Sequence, residues 1–329
     1  DGFASLREDL DMLPLADAAK SRSEADWLVG IHGTRAVTAF NSKEGGFYLT
    51  TVGRVQTPTL TILVEREEKI RAFKSRDYWE VHARFGAKAG EYGGRWFDPS
   101  HRKDEDAEKK AEGVWNAAQA EEIRAACEGK QGTVSEETKP STQMSPLLFD
   151  LTSLQREANG RFGFSAKATL GLAQALYEKH KVLTYPRTDA RALPEDYVAT
   201  VKQTLGMLKE GVYAPFAGQV LKAGWVKPNK RIFDNSKISD HFAIIPTLQA
   251  PKTLSEPEQK LYDLVVRRFL AVFYPAAEYL QTTRITQVGE HRFKTEGRIL
   301  VNTGWLAVYG KSTQEGSGNL PAIGADEKV

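Results

Sequence analysis

Leu183-Thr184-Tyr185-Pro186-Arg187-Thr188-Asp189 decides how this chain is read. The stretch places a phenol and a guanidinium two residues apart around a proline. In extended backbone, residues i and i+2 point to the same side. Pro186 favours an extended Tyr185 before it and removes a backbone donor, which predicts a strand end or an edge. Tyr185 is then presented beside the cation of Arg187. The pairing suits a tyrosine that attacks a phosphodiester while an arginine neutralises the phosphate. A tyrosine phenol, with a reference pKa of about 10, is a poor nucleophile at neutral pH. An adjacent cation favours the phenolate and offsets charge on a pentavalent phosphorane. Taken alone, the same residues also describe a strand tyrosine packed on a neighbouring helix.

Upstream of this stretch, helical signals begin near Ser145. Thr152 and Ser165 are candidate caps, and Ala168, Leu172, Ala175 and Leu176 recur at helical spacing. Two helices, a Lys-rich turn and a short strand suggest a helix-turn-helix or winged-helix unit. Farther upstream, residues 1–72 read as helical. Thr57 is expected to cap a helix with Pro58 at its first position, and Leu60, Leu63, Val64 and Ile70 form an apolar stripe. Residues 76–99 mix aromatics with glycines and predict short strands and turns. A charged, Ala-rich surface helix is expected over 104–126, then a strand over Thr133–Thr142 leading into a loop. Downstream, Ser255-Glu256-Pro257-Glu258 is a capping-box pattern, and Pro275 stops its helix. From Thr282, alternation through Ile285, Val288, Phe293, Leu300, Val301, Trp305 and Val308 predicts β structure. The order helical, β, helical, β is explained economically by a β domain interrupted by a helical insertion.

Composition sets wider limits. A chain of 329 residues allows two or three domains. No apolar run is long enough to cross a membrane. Cys127 is the only cysteine, which excludes an intrachain disulfide and a zinc site of several cysteines within this chain. A reducing cytoplasm is the natural reading. The net charge of +2 does not by itself announce a nucleic-acid binder. Local charge is more informative: Lys179, Lys181, Arg187 and Arg191 cluster around His180, and Lys222, Lys227, Lys230 and Arg231 form a second group. Such patches can follow a phosphate backbone, or they are ordinary solvated surface.

Five blocks then carry a resemblance. They are Arg22 to Gly30 (RSEADWLVG), Val52 to Pro58 (VGRVQTP), Ser153 to Ala158 (SLQREA), Leu183 to Asp189, and His241 to Thr247 (HFAIIPT). In this order the chain resembles type IA DNA topoisomerases, most nearly the bacterial topoisomerase III branch. The resemblance implies an α+β multidomain fold: a helical domain over 1–73, a β gate domain over 74–144 and 278–329, and a winged-helix-like catalytic domain over 145–277. It implies a monomeric, gated enzyme of the bacterial cytoplasm and nucleoid. Such an enzyme cleaves one strand of single-stranded or underwound DNA through a 5′-phosphotyrosine link, passes a strand and religates without ATP. By match, Tyr185 is the nucleophile, Arg187 the phosphate-contacting arginine and His241 the active-site histidine. Arg22, Arg54 and Gln56 match positions that contact the DNA strand leading to the cleavage site. The family also uses magnesium, bound by an acidic Toprim domain. This chain resembles the part that follows it, so a fragment that is inactive alone and binds no metal itself is the expectation.

Each of these residues also has an ordinary reading. His241 can be structural, Arg54 can form a salt bridge at a helix start, and Arg22 can pair between helices. Trp27, Trp79 and Trp96 could stack on unpaired bases, but their apolar surroundings predict core packing. Asp9-Leu10-Asp11 and Asp104-Glu105-Asp106 have the Asp-x-Asp form, yet neither follows an apolar parallel strand that would hold the carboxylates together. The competing function is a single-stranded DNA-binding module without chemistry. A tyrosine recombinase fits less well, because that chemistry gathers several Arg and His residues around a tyrosine placed late in the chain.

Overall fold

The computed structural model describes residues 3, 6–102, 109–310, 320–324 and 327–329. The acidic triplet at 104–106 lies outside the described residues. The chain forms two compact units, Asp1–Asp77 and Tyr78–Val329.

The first unit holds two helices, α1 (Asp9–Asn41) and α2 (Gln56–Ala72). Thr57 does not cap α2. The helix begins at Gln56, and the Thr57 hydroxyl instead accepts a hydrogen bond from the Gly53 amide at 3.3 Å. Pro58 still falls within the first turn, where its missing donor costs nothing. Glu67 and Arg71 pair at 2.9 Å. Within this unit the stripe of Leu60, Leu63, Val64 and Ile70 is exposed.

The second unit is built on one antiparallel sheet of order β1-β2-β5-β4-β3. Its strands are β1 (His82–Ala87), β2 (Gly90–Phe97), β3 (Thr133–Gln143), β4 (Ala277–Val288) and β5 (His291–Asn302). Between β2 and β3 lies α3 (Ala117–Cys127). This helix is shorter than the charge pattern suggested. Val114 pairs with Trp79 in an isolated bridge, and the Asn116 side chain caps α3 only afterwards. One face of the sheet packs Phe85, Tyr92, Trp96, Val288 and Phe293 against Ile123 of α3.

The helical insertion leaves the sheet after β3 and returns at β4, and these two strands are neighbours. Their register runs from Thr133↔Gln287 to Gln143↔Ala277. Gln143 and Ala277 therefore stand side by side, and both ends of the insertion are held by one ladder. The insertion contains α4 (Leu151–Phe162), α5 (Ala166–Glu178), α6 (Val198–Leu208), α7 (Ala214–Lys222) and α8 (Glu256–Ala271). Its core is continuous. Leu154, Leu176, Leu183, Leu193, Leu205, Ile244 and Phe269 are almost completely buried. Each such side chain contributes about 1.5–3 kcal/mol of transfer free energy.

Beyond Asn302 the expected β structure stops. Trp305 and Val308 lie in a short 3-10 segment, Gly304–Tyr309, and Trp305 donates its indole N–H to the Gln143 carbonyl at 2.9 Å. No described helix is long and apolar enough to cross a membrane.

Candidate active site

The site begins with the helix pair. α4 is capped by Asp150, not Thr152. The Asp150 carboxylate accepts from the Ser153 amide at 2.6 Å, and Ser153 Oγ accepts from the Asp150 amide at 3.2 Å. Gly163, at φ +70°, ends α4, and Ser165 caps α5 as expected. At the end of α5 the Val182 amide reaches back to the Leu176 carbonyl at 2.9 Å. Lys181 occupies the left-handed position of this turn at φ +59°. Glycine is usual there, so a lysine carries a cost of about 1 kcal/mol. The turn directs the chain abruptly from the helix into the Tyr185 segment.

That segment is extended but not a regular strand. It has one isolated antiparallel bridge, Leu183↔Pro246, supported by Thr184 N–H to the Ile245 carbonyl at 3.0 Å. The sequence predicted a strand edge, and Pro186 explains why pairing stops after a single bridge. The partner is the 241–247 segment, which the sequence could not place. Phe149 clamps its other side, with the Ile244 amide donating to the Phe149 carbonyl at 2.8 Å. Leu183, Ile244 and Ile245 sink into the core beneath the pair.

Tyr185 and His241 consequently meet. Their ring centroids are 4.3 Å apart at an interplanar angle of 44°. Tyr177 of α5 contacts the Tyr185 ring edge-on at 5.4 Å, and the Lys181 ammonium lies 5.7 Å from the Tyr177 ring. Tyr185 is half-buried, whereas Arg187 and His241 are exposed. Neither Arg187 nor the His241 ring has an ion pair or hydrogen bond among the described residues. Thus the phenol and the imidazole meet, and the exposed Arg187 guanidinium lies two residues along the chain from the phenol, with no cation–π contact to either ring among the described residues. Sequence reading gave no role to Tyr177, Thr184 or Thr188. Tyr177 lies on the helix that ends just before the motif, so its spacing was a usable signal.

Some expected participants have other duties. Arg231 of the second basic cluster is half-buried and donates to the Ser145 carbonyl. Burial pushes its pKa below the usual arginine value. Arg191 Nε donates to the Leu148 carbonyl at 3.2 Å. These two cations secure the entry to α4 rather than lie free for phosphate. In the first unit, Arg22 is exposed. Arg54 pairs with Asp26, Nη2 to Oδ2 at 2.6 Å, which is the ordinary alternative for that residue. Gln56 Oε1 accepts from Thr51 Oγ1 at 2.9 Å. Trp96 is buried as expected, but Trp27 is 61% exposed within its unit and Trp79 is 38% exposed. Core packing was therefore the wrong expectation for Trp27, and for Trp79 it is at most partial.

Magnesium, implied by the resemblance, finds no fit here. No group of three or more His, Cys, Asp or Glu that could hold a metal ion occurs among the described residues. Asp9 and Asp11 lie exposed in the first turn of α1.

Comparison with known proteins identifies a family. Residues 11–329 match a family model described as DNA topoisomerase. A DNA topoisomerase 3 of Bacillus cereus is 41% identical over 312 residues, covering 94% of this chain and 40% of that protein. A DNA topoisomerase 3 of Bacillus subtilis is 39% identical over 319 residues, covering 96% and 41%. This chain thus spans about two-fifths of the length of these curated relatives. Among solved structures, full-length topoisomerase I from Thermotoga maritima aligns with a TM-score of 0.56 at 23% identity. That alignment covers 86% of this chain and 44% of that one, and it is a likeness of fold.

Proposed function

Because this chain belongs to the DNA topoisomerase family, we propose that it carries the strand-cleaving tyrosine of a type IA enzyme. Tyr185 Oη attacks a DNA phosphorus, and the bond from phosphorus to the 3′ oxygen breaks. The phenol gives up its proton, the departing 3′ oxygen gains one, and the 5′ phosphate remains esterified to Tyr185. Religation is the reverse reaction. One phosphodiester is exchanged for another, so no ATP is required in this reading. Arg187, exposed and unpaired, clamps two phosphate oxygens through its planar fork. His241 donates to a non-bridging oxygen from the face of the Tyr185 ring. Arg22, Arg54 and Gln56 bind the strand leading to the break. Arg54 must exchange Asp26 for phosphate to do so.

The single observation that carries this reading is the Tyr185–His241 contact between two distant segments of sequence. The complete protein from the parent gene is read as a cytoplasmic relaxing or decatenating enzyme. Magnesium is assigned to a Toprim-like acidic domain rather than to the residues described here, and this segment alone is expected to be inactive. The test is relaxation of underwound plasmid by that complete protein. Tyr185→Phe should abolish relaxation and the covalent adduct while single-stranded DNA binding persists. Relaxation by the phenylalanine variant rejects the assignment.

A further inference from the structure

Tyr185 and His241 lie on separate segments, so their contact depends on the joints between those segments. Two joints are side-chain hydroxyls with no role so far. Thr184 Oγ1 donates to the Ala243 carbonyl at 3.0 Å and accepts from the Ile245 amide at 2.9 Å. Thr188 Oγ1 donates to the His241 carbonyl at 2.8 Å and accepts from the Ala190 amide at 3.0 Å. Each hydroxyl is committed both as donor and as acceptor. One stands immediately before Tyr185 and the other three residues after it. On the opposite segment they hold His241 itself and residues 243–245.

The two brackets differ in redundancy. Residues 243–247 are tied down several times over, by Ala243 N–H to Ala192, Ile244 N–H to Phe149 and Thr247 N–H to Val182. His241 is not. Among the described residues its backbone has one hydrogen bond, the one from Thr188. Two residues earlier, Ser239 Oγ reaches the exposed Asp189 carboxylate at 3.2 Å. Thr188 is itself buried, at 8% exposure, so water cannot readily substitute for its hydroxyl.

We propose that Thr184 and Thr188 are positioning residues that set the register of Tyr185 against His241, with Thr188 the decisive one. The proposal rests on the reading of Tyr185 as nucleophile and His241 as its phosphate-facing partner. A valine at 188 keeps the shape and removes both hydrogen bonds. The core beneath is untouched, but the imidazole is no longer fixed over the phenol. A misplacement of about 1 Å at a reacting centre can cost on the order of 100-fold in rate.

The experiment follows single-turnover cleavage of a single-stranded oligonucleotide by the complete protein, reading the covalent adduct. Thr188→Val should slow cleavage by about 10- to 100-fold with KM for DNA changed by less than about threefold. Thr188→Ser, which restores the hydroxyl, should recover most of the rate. Thr184→Val should have the smaller effect. Cleavage by Thr188→Val within about twofold of the parent overturns the proposal, as does a loss carried by KM alone. A serine variant no better than valine overturns it too. If the valine variant does not fold, the comparison of Thr188→Ser with Thr188→Ala decides on the same criteria. A second readout uses this chain alone. The His241 Hε1 proton should show a ring-current shift that Tyr185→Leu and Thr188→Val both abolish and Thr188→Ser retains. The Tyr185→Phe arm separates the two ideas: adduct formation by that variant sinks the nucleophile assignment. A dead phenylalanine variant beside a fully active Thr188→Val sinks only the positioning role.

Discussion

Replacing Arg268 by leucine should measurably loosen the scaffold under the site. Arg268 is 5% exposed on α8. Its Nη1 donates to the Leu147 carbonyl at 3.0 Å, its Nη2 pairs with Glu157 of α4, and its guanidinium lies 4.0 Å from the centroid of the Phe149 ring. Phe149 in turn bridges Ile244 in the His241 segment. A hydrogen bond from a charged donor contributes about 1.5–3 kcal/mol, and a desolvated cation–π contact up to about 2. Removing one partner of a buried ion pair usually costs about 3–5 kcal/mol. Here Glu157 retains Arg161, which lies 2.9 Å away, so its carboxylate is not stranded. Leucine also restores part of the packing on Phe149. The net cost should be about 3 kcal/mol. For a unit of this size that corresponds to a Tm lower by roughly 6–12 °C. Differential scanning calorimetry of parent, Arg268→Leu and Glu157→Gln measures it, with Glu157→Gln expected to lose roughly a third as much. A leucine variant melting within about 2 °C of the parent would refute the claim that this guanidinium joins α8 to the site.

Two more outcomes are expected. Glu258 accepts hydrogen bonds from the Ser255 amide at 2.8 Å and Ser255 Oγ at 2.7 Å, and also faces His180 at 3.1 Å. The Ser255 bonds, first the amide and then the hydroxyl, hold its pKa at about 2, with a smaller contribution from His180. A folded-state value below the usual carboxylate range stabilises the fold above about pH 4.5, and this stabilisation is lost as pH falls towards 2. Thermal melts should therefore decline over that window, and Glu258→Gln should flatten the decline; superimposable pH profiles would contradict it. Gly304 has φ +47°, and a Cβ there would lie 2.3 Å from the Ala276 carbonyl oxygen. Gly304→Ala should cost at least about 2 kcal/mol, or roughly 4–8 °C, which urea or thermal unfolding would detect.

Much of the architecture was legible because it rests on short-range signals. The Ser255 capping pattern, the Ser165 cap and the β character of β4 and β5 each have a local physical cause, and each appears as read, although the buried face of β4 carries Thr282, Arg284 and Thr286 rather than Ile285. The failures have identifiable causes as well. At α4 two hydroxyl or carboxylate residues competed for one cap, and Asp150 won because Ser153 could reciprocate. At α2, Thr57 lost because its hydroxyl had a nearer donor in Gly53. Trp79 was drawn to the Val114 bridge, a partner far along the chain that periodicity does not encode. Trp27 misled for a different reason: an apolar pattern on a helix says which face seeks cover, but not whether that face is covered within its own unit.

The site shows the same division between local and long-range information. Tyr185 and Arg187 could be proposed together from local sequence alone, because residues two apart in extended backbone point to the same side. His241 was readable only through resemblance, since nothing local says that a segment 56 residues later returns beside Tyr185. That return is encoded by inward-facing residues rather than by Tyr185 and His241 themselves. Leu183, Ile244 and Ile245 pull the two segments onto one core, and the threonine hydroxyls then set the register. The Tyr185–His241 pair is thereby placed by apolar groups beneath it. Substitutions in that buried layer should consequently disturb the Tyr185–His241 contact, and with it the cleavage proposed above, without altering either ring.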